Sequence, residues 1–81
     1  MKLAADISLY PLTADYIPPI DSIIARFESY PGIEVRRNAL STQLFGDYDE
    51  VMRILHTEMA RSFREHKAVM VVKFVCTERG D

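Results

Sequence analysis

Asp6, Ser8 and Tyr10 recur at every second position among apolar neighbours, and Lys73 sits in a valine-rich run near the other end of the chain. If the two segments are neighbouring antiparallel strands, a period of two sets a carboxylate, a hydroxyl, a phenol and an ammonium on one sheet face. Such a set suits a small polar aromatic ligand, because the polar groups read its donors and acceptors while apolar walls and the tyrosine ring cover its flat face. The plainer reading is an Asp6–Lys73 cross-strand ion pair with two satisfied polar neighbours, and ion pairs on sheets are commoner than pockets. Asn38, Ser41, Thr42 and Gln43 form a second polar group. Turn formation is their default role, since short polar side chains bond nearby backbone groups. They join the first group only if the strand that follows them pairs with the strand of Asp6.

Other chemistries find less support. His56 and His66 stand ten residues apart, on different faces of a helix and without a further ligand at metal-binding spacing, so neither a metal nor a cofactor is expected. Cys76 is the only cysteine, which rules out an internal disulfide and a CxxC motif and leaves a small apolar residue. No GxSxG elbow is present and no histidine stands beside Cys76, so the chain is not expected to be an enzyme. Arg36 and Arg37 suit a solvated strand edge better than an anion site. Ten Lys and Arg against twelve Asp and Glu give a net charge of −2, which argues against a nucleic-acid partner. The longest apolar run, Ala68 to Val72, falls far short of the roughly 20 residues that cross a bilayer; a cytoplasmic protein without membrane insertion is expected.

With 81 residues, 48% of them apolar and 27% charged, the chain is expected to fold as one domain over residues 1–81. Leu3, Ala5, Ile7 and Leu9 alternate with polar or amphipathic residues, the mark of a strand that Pro11 stops. Thr13 or Asp15 can cap a helix that carries Pro18 and Pro19 in its first turn and Ile20, Ile23, Ile24 and Phe27 on one face, ending before Pro31-Gly32. Residues 33–39 and 41–45 read as a hairpin turning around Leu40. Asp47, with Glu50 three residues on, reads as the N-cap of a second helix whose apolar stripe is Val51, Leu55, Met59 and Phe63. Ala68 to Cys76 is the last strand.

This order predicts an α+β, ferredoxin-like βαββαβ split fold, a four-stranded antiparallel sheet with two helices on one face. In the last strand Met70, Val72 and Phe74 serve the helix-covered face, so Val69, Val71 and Val75 must point the other way. That face is too apolar for water, and a second copy is the first candidate to cover it, giving a homodimer or tetramer through sheet faces. The first loop, Pro11-Leu12-Thr13-Ala14-Asp15, is acidic and has neither arginine nor CxxC, which disfavours both a phosphate loop and a metal-carrying loop.

The strings Ile7-Ser8-Leu9-Tyr10-Pro11-Leu12, Asn38-Ala39-Leu40-Ser41-Thr42, Phe45 to Met52 (FGDYDEVM) and Val71-Val72-Lys73-Phe74, in this order over nearly the whole chain, closely resemble the Ykof-type thiamine and hydroxymethylpyrimidine-binding family. The resemblance implies the fold already reached from periodicity, a binding protein in place of an enzyme, and the aminopyrimidine end of thiamine as the recognised group. Carried over through these strings, the candidate ligand residues are Ser8, Tyr10, Asn38, Ser41, Thr42, Lys73 and Phe74. Asp6 joins them on chemical grounds, since a carboxylate can accept from an exocyclic amine or face a thiazolium cation. The expected function is non-catalytic binding of thiamine or its hydroxymethylpyrimidine moiety, in salvage or transport. The alternative is a self-associating structural or regulatory domain with no small-molecule ligand.

Overall fold

A computed structural model describes residues 1–76. The elements are β1 (Lys2–Pro11), α1 (Ile17–Glu28), β2 (Glu34–Arg37), β3 (Thr42–Asp47), α2 (Tyr48–Glu65) and β4 (Ala68–Cys76). The sheet is antiparallel throughout, in the order β2-β3-β1-β4, which is the expected ferredoxin-like α+β architecture. Leu3, Ala5, Ile7 and Leu9 of β1 and Leu44 of β3 meet Ile23, Ile24 and Phe27 of α1 and Val51, Ile54 and Leu55 of α2 in one core. β3 pairs with β1 so that Asp6 stands opposite Gln43 and Ile7 opposite Thr42. On the other side β4 sets Lys73 opposite Asp6, Val71 opposite Ser8 and Val69 opposite Tyr10.

Both helices start differently from the sequence expectation. Thr13 and Asp15 do not cap α1; Tyr16 holds the N-cap position with no side-chain cap bond. Pro18 and Pro19 have no N–H, so the first turn carries fewer orphan donors for a cap to satisfy. Asp47 does occupy the N-cap of α2, but its side chain makes no cap bond. Its carboxylate instead lies 2.9 Å from Lys2 Nζ, its cross-strand partner, and that bond holds its pKa below the ordinary carboxylate value. Between α1 and β2 the chain turns at Gly32, whose φ of 81° is open to glycine at little steric cost.

The stripe on α2 is also rotated from expectation. Its buried residues are Val51, Ile54, Leu55, Glu58 and Ser62, whereas Phe63 is about half exposed. Glu58, only 1% exposed, faces α1 and completes a polar seam between the helices. Arg26 Nε donates to Glu58 Oε1 and Tyr30 Oη to Glu58 Oε2, each at 2.6 Å, and Arg26 also reaches Ser22 and Ser62. The neighbouring carboxylate pushes the Tyr30 phenol above its ordinary pKa. A carboxylate this deep persists because both oxygens are bonded.

In β4, Phe74 belongs to the helix-side register yet is about half exposed. It corrects the expectation that α2 covers the whole of that face. Val69, Val71 and Val75 are about half exposed on the open side, as the alternation requires.

Because Arg26 and Tyr30 would lose their common acceptor, Glu58→Ala is expected to destabilise the fold by about 3 kcal/mol, and Glu58→Gln, which still accepts from Tyr30, by about 1–2 kcal/mol. Urea unfolding midpoints at constant m-value check both the size and the order.

Candidate functional site

At one end of the sheet, the second half of β1, the face of α1 and the β2–β3 turn converge on a cleft of about 550 Å³. Its apolar walls include Ile7 and Leu9 of β1, Ile20, Ile24 and Phe27 of α1, and Leu40 of the turn, with Tyr16 at the rim. The opening exists because α1 begins only at Ile17 and the hairpin tip stands clear of it. Asn38 N–H donates to Ser41 O at 2.9 Å, so Ala39 and Leu40 form the tip, and neither has positive φ. A tip outside the primed turn types does not follow the twist of its strands, and Leu40 is left 89% exposed.

Five of the eight expected site residues, Ser8, Tyr10, Asn38, Ser41 and Thr42, line this cleft. Thr42 is 7% exposed and lies at its base, on the helix side of the sheet. Ser8 Oγ donates to Leu40 O at 3.4 Å, a long bond that a ligand atom could replace at little cost. Asp6, Lys73 and Phe74 lie instead on a separate depression of about 200 Å³, with Gln43 and Phe45. Small-molecule sites usually occupy about 300–1,000 Å³, so volume favours the cleft.

The two places are joined through one hydrogen bond. Ser41 Oγ donates to Asp6 Oδ1 at 2.6 Å, while Lys73 Nζ stands 3.7 Å from Oδ2. The Ser41 bond is the largest cause holding the Asp6 carboxyl below its ordinary pKa, helped by the charge of Lys73 and opposed by burial. Asp6 is therefore ionised at neutral pH and lends the polar side of the cleft a negative charge. Among the described residues no three His, Cys, Asp or Glu side chains are placed to hold a metal ion.

The walls from α1 and the Leu40 tip escaped sequence reasoning. Ile20, Ile24 and Phe27 read as ordinary core at helical spacing, and only the leucine at a turn position that favours Gly, Asn or Asp hinted otherwise.

Replacing Ser41 by Ala should raise the Asp6 pKa toward the ordinary carboxylate value, and Lys73→Met should raise it less. Any stability owed to the Asp6 carboxylate is then complete above its unfolded-chain pKa and lost as pH falls through the lower folded value. NMR titration of the Asp6 carboxyl carbon in the three proteins checks the sign and the order.

The sequence profile of the YKOF-related family matches residues 2–77, while a search of curated proteins finds no match. Among solved structures, protein SP2199 from Streptococcus pneumoniae is 27% identical, with a TM-score of 0.89 over 100% of this chain and 92% of its own. Protein TM0486 from Thermotoga maritima, described as a "putative thiamine biosynthesis/salvage protein", is 18% identical, with a TM-score of 0.84 over 94% of this chain and 84% of its own. Hypothetical protein MJ1052 from Methanocaldococcus jannascii is 24% identical, with a TM-score of 0.83 over 99% of this chain and 84% of its own. The last two likenesses are likenesses of fold.

Proposed function

The chain belongs to the YKOF-related family, and from that footing we propose that it binds thiamine, or the hydroxymethylpyrimidine portion of thiamine, and releases it unchanged. The observation that carries this reading is the 550 Å³ cleft, where apolar walls face Ser8, Asn38, Ser41 and Thr42. A flat aminopyrimidine has an apolar ring face and a rim of donors and acceptors, and a lining that joins such walls with a few hydroxyl- and amide-bearing residues suits both. Tyr10 at the mouth supplies an aromatic surface for the ring or for the thiazolium. The Asp6 carboxylate, one hydrogen bond behind Ser41, favours a cation nearby.

Two features support holding in place of turnover, and a free vitamin in place of its phosphates. The carboxylate bonded to Ser41 has a lowered pKa, which makes it a weak general base at neutral pH. Among the described residues no Lys, Arg or His lines the cleft, so a phosphate would meet the Asp6 charge there without a compensating cation. The same reading makes the chain a cytoplasmic carrier or sensor in thiamine salvage, without a nucleic-acid partner and without insertion into a membrane; no helix of the described residues is long and apolar enough to cross one.

Calorimetric titration should give heat with thiamine and with hydroxymethylpyrimidine, and at least about tenfold weaker binding of thiamine phosphates, the equivalent of one lost charge-assisted contact. Ser8→Ala should weaken thiamine binding by roughly 2- to 10-fold, as expected for one hydrogen bond. Neither heat nor a thermal shift with any of these compounds at millimolar concentration would sink the proposal.

A second reading, a domain that only self-associates, is favoured by one observation, the half-exposed Val69, Val71 and Val75 on the open face. Full burial of a valine is worth about 1.5–3 kcal/mol, and a second copy covering this face would recover part of that for each of the three. We expect Val71→Asp to lower the assembly state in sedimentation at tens of micromolar, while Ser8→Ala leaves it unchanged. Assembly without any ligand response would select the second reading.

A further inference from the structure

Past Ile7 the central strand runs on with a neighbour on one flank only. β1 pairs with β4 as far as Pro11↔Ala68, but its pairing with β3 ends at Ile7↔Thr42. Ser8 to Pro11 therefore have a bare edge on the β3 side, and all four line the cleft.

The ladders tell which backbone groups lie on that edge. In an antiparallel pair, opposite residues alternate between exchanging two backbone bonds and exchanging none. Tyr48 N–H donates to Met1 O at 2.8 Å, one step beyond the β1–β3 register, so Leu3, Ala5 and Ile7 bond toward β3. Leu12 N–H donates to Lys67 O at 2.9 Å, one step beyond the β1–β4 register, so Ala4, Asp6, Ser8 and Tyr10 bond toward β4. The two ladders agree in phase, and both turn Leu9 toward the β3 side. Continued by two residues, the β3 register would set Leu40 opposite Leu9. Leu40 belongs instead to the hairpin tip, and its carbonyl accepts from Ser8 Oγ. Among the described residues neither Leu9 N–H nor Leu9 C=O has a hydrogen-bond partner.

Leu9 is only 9% exposed, and backbone groups at that depth are nearly always paired. In an extended residue the N and O atoms lie about 2.8 Å apart and point the same way. Leu9 thus offers the cleft one donor and one acceptor side by side, between apolar walls that strengthen any bond they make. The pair is short. Pro11, the next residue on this edge, has no N–H, and Ile7 is already bonded to Thr42. An added peptide strand needs a longer run of free groups, whereas one planar group needs only these two. The pair also has a fixed sense. The hydroxyls of Ser8, Ser41 and Thr42 rotate and can donate or accept, but Leu9, its side chain held in the core, presents donor and acceptor in a single order.

We propose that Leu9 N–H and C=O read the amidine edge of an aminoheterocycle, the N–H donating to a ring nitrogen and the C=O accepting from the amine on the adjacent carbon. The ligand edge then stands where Leu40 would have stood in the interrupted ladder. This deepens the aminopyrimidine reading and rests on the cleft being the ligand site. It assigns to the main chain of β1 the discrimination between an aminopyrimidine and a pyrimidine without the amine, because a site with buried polar groups rejects an analogue that leaves them unpaired.

Titration of the wild type with hydroxymethylpyrimidine, with its analogue lacking the amine, and with unsubstituted 4-aminopyrimidine tests the assignment. Loss of the amine leaves the Leu9 carbonyl unpaired and should weaken binding at least about tenfold. Ser8→Ala should weaken both hydroxymethyl compounds and leave their ratio unchanged, since the hydroxyl is not the reader. Amide hydrogen exchange followed by NMR reports on the donor directly. In the free protein Leu9 should exchange faster than Ile7 and Tyr10, whose N–H groups are bonded to β3 and β4. Saturating hydroxymethylpyrimidine should slow Leu9 at least about tenfold more than either neighbour. Equal affinity without the amine, a ratio that collapses in Ser8→Ala, or a Leu9 amide left unprotected by bound ligand would each overturn the proposal while thiamine binding stands. Binding of 4-aminopyrimidine with Leu9 protected, and of neither thiamine nor hydroxymethylpyrimidine, would keep the Leu9 edge and overturn the thiamine reading. No binding of any of these compounds at millimolar concentration overturns both.

Discussion

β1 is hydrogen-bonded along both flanks, to β3 on one side and β4 on the other, and its register decides what every other element can do. A slip of one residue would carry Leu3, Ala5, Ile7 and Leu9 to the open face and drive Asp6 and Ser8 into the core. Four apolar side chains against a carboxylate and a hydroxyl set a gap large enough to hold one register. Once it is held, Thr42 is fixed at the base of the cleft, Ser41 within reach of Asp6, and Lys73 across from the same carboxylate. The site is thus a by-product of core packing, positioned by a strand that could not move without unfolding the domain.

Two carboxylates divide the polar work. Glu58 is enclosed and saturated by Arg26 and Tyr30, and it ties the helix pair together from beneath. Asp6 lies at the sheet surface, with one oxygen taken by Ser41 and the other facing Lys73 at 3.7 Å. The first is a fastener with no free valence. The second retains acceptor capacity and ties the hairpin tip to the central strand, so the turn that carries Asn38 and Ser41 is anchored at its base while Leu40 remains in solvent.

The sheet was legible because alternation is a local signal: Leu3 to Leu9 and Ala68 to Cys76 declare their two faces residue by residue, and Pro11, Pro31-Gly32 and Asp47 mark the breaks. The family strings likewise pointed to Ser8, Asn38, Ser41 and Thr42, which the fold collects around one cleft. What escaped was set by neighbours distant in sequence. Glu58 in an amphipathic helix reads as a solvated residue until Arg26 and Tyr30 are placed beside it, and helical spacing alone runs the stripe through Phe63. Phe74 has the parity of a core residue, but parity does not say how far a helix extends over a strand. A cleft is a volume left unfilled between elements, and no single segment encodes it.

The central position of β1 also fixes an order of events during synthesis. β1 is made first, yet its second flank is paired only by β4, whose residues follow α2. Until Ala68 to Cys76 have left the ribosome, β1 has one flank unsatisfied, and contacts of this sequence separation form slowly. In that interval the nascent chain presents an extra strand edge, Leu3 to Leu9, rich in apolar side chains and open to pairing with another chain. The last strand therefore closes the sheet and ends the period in which the protein is most prone to aggregate.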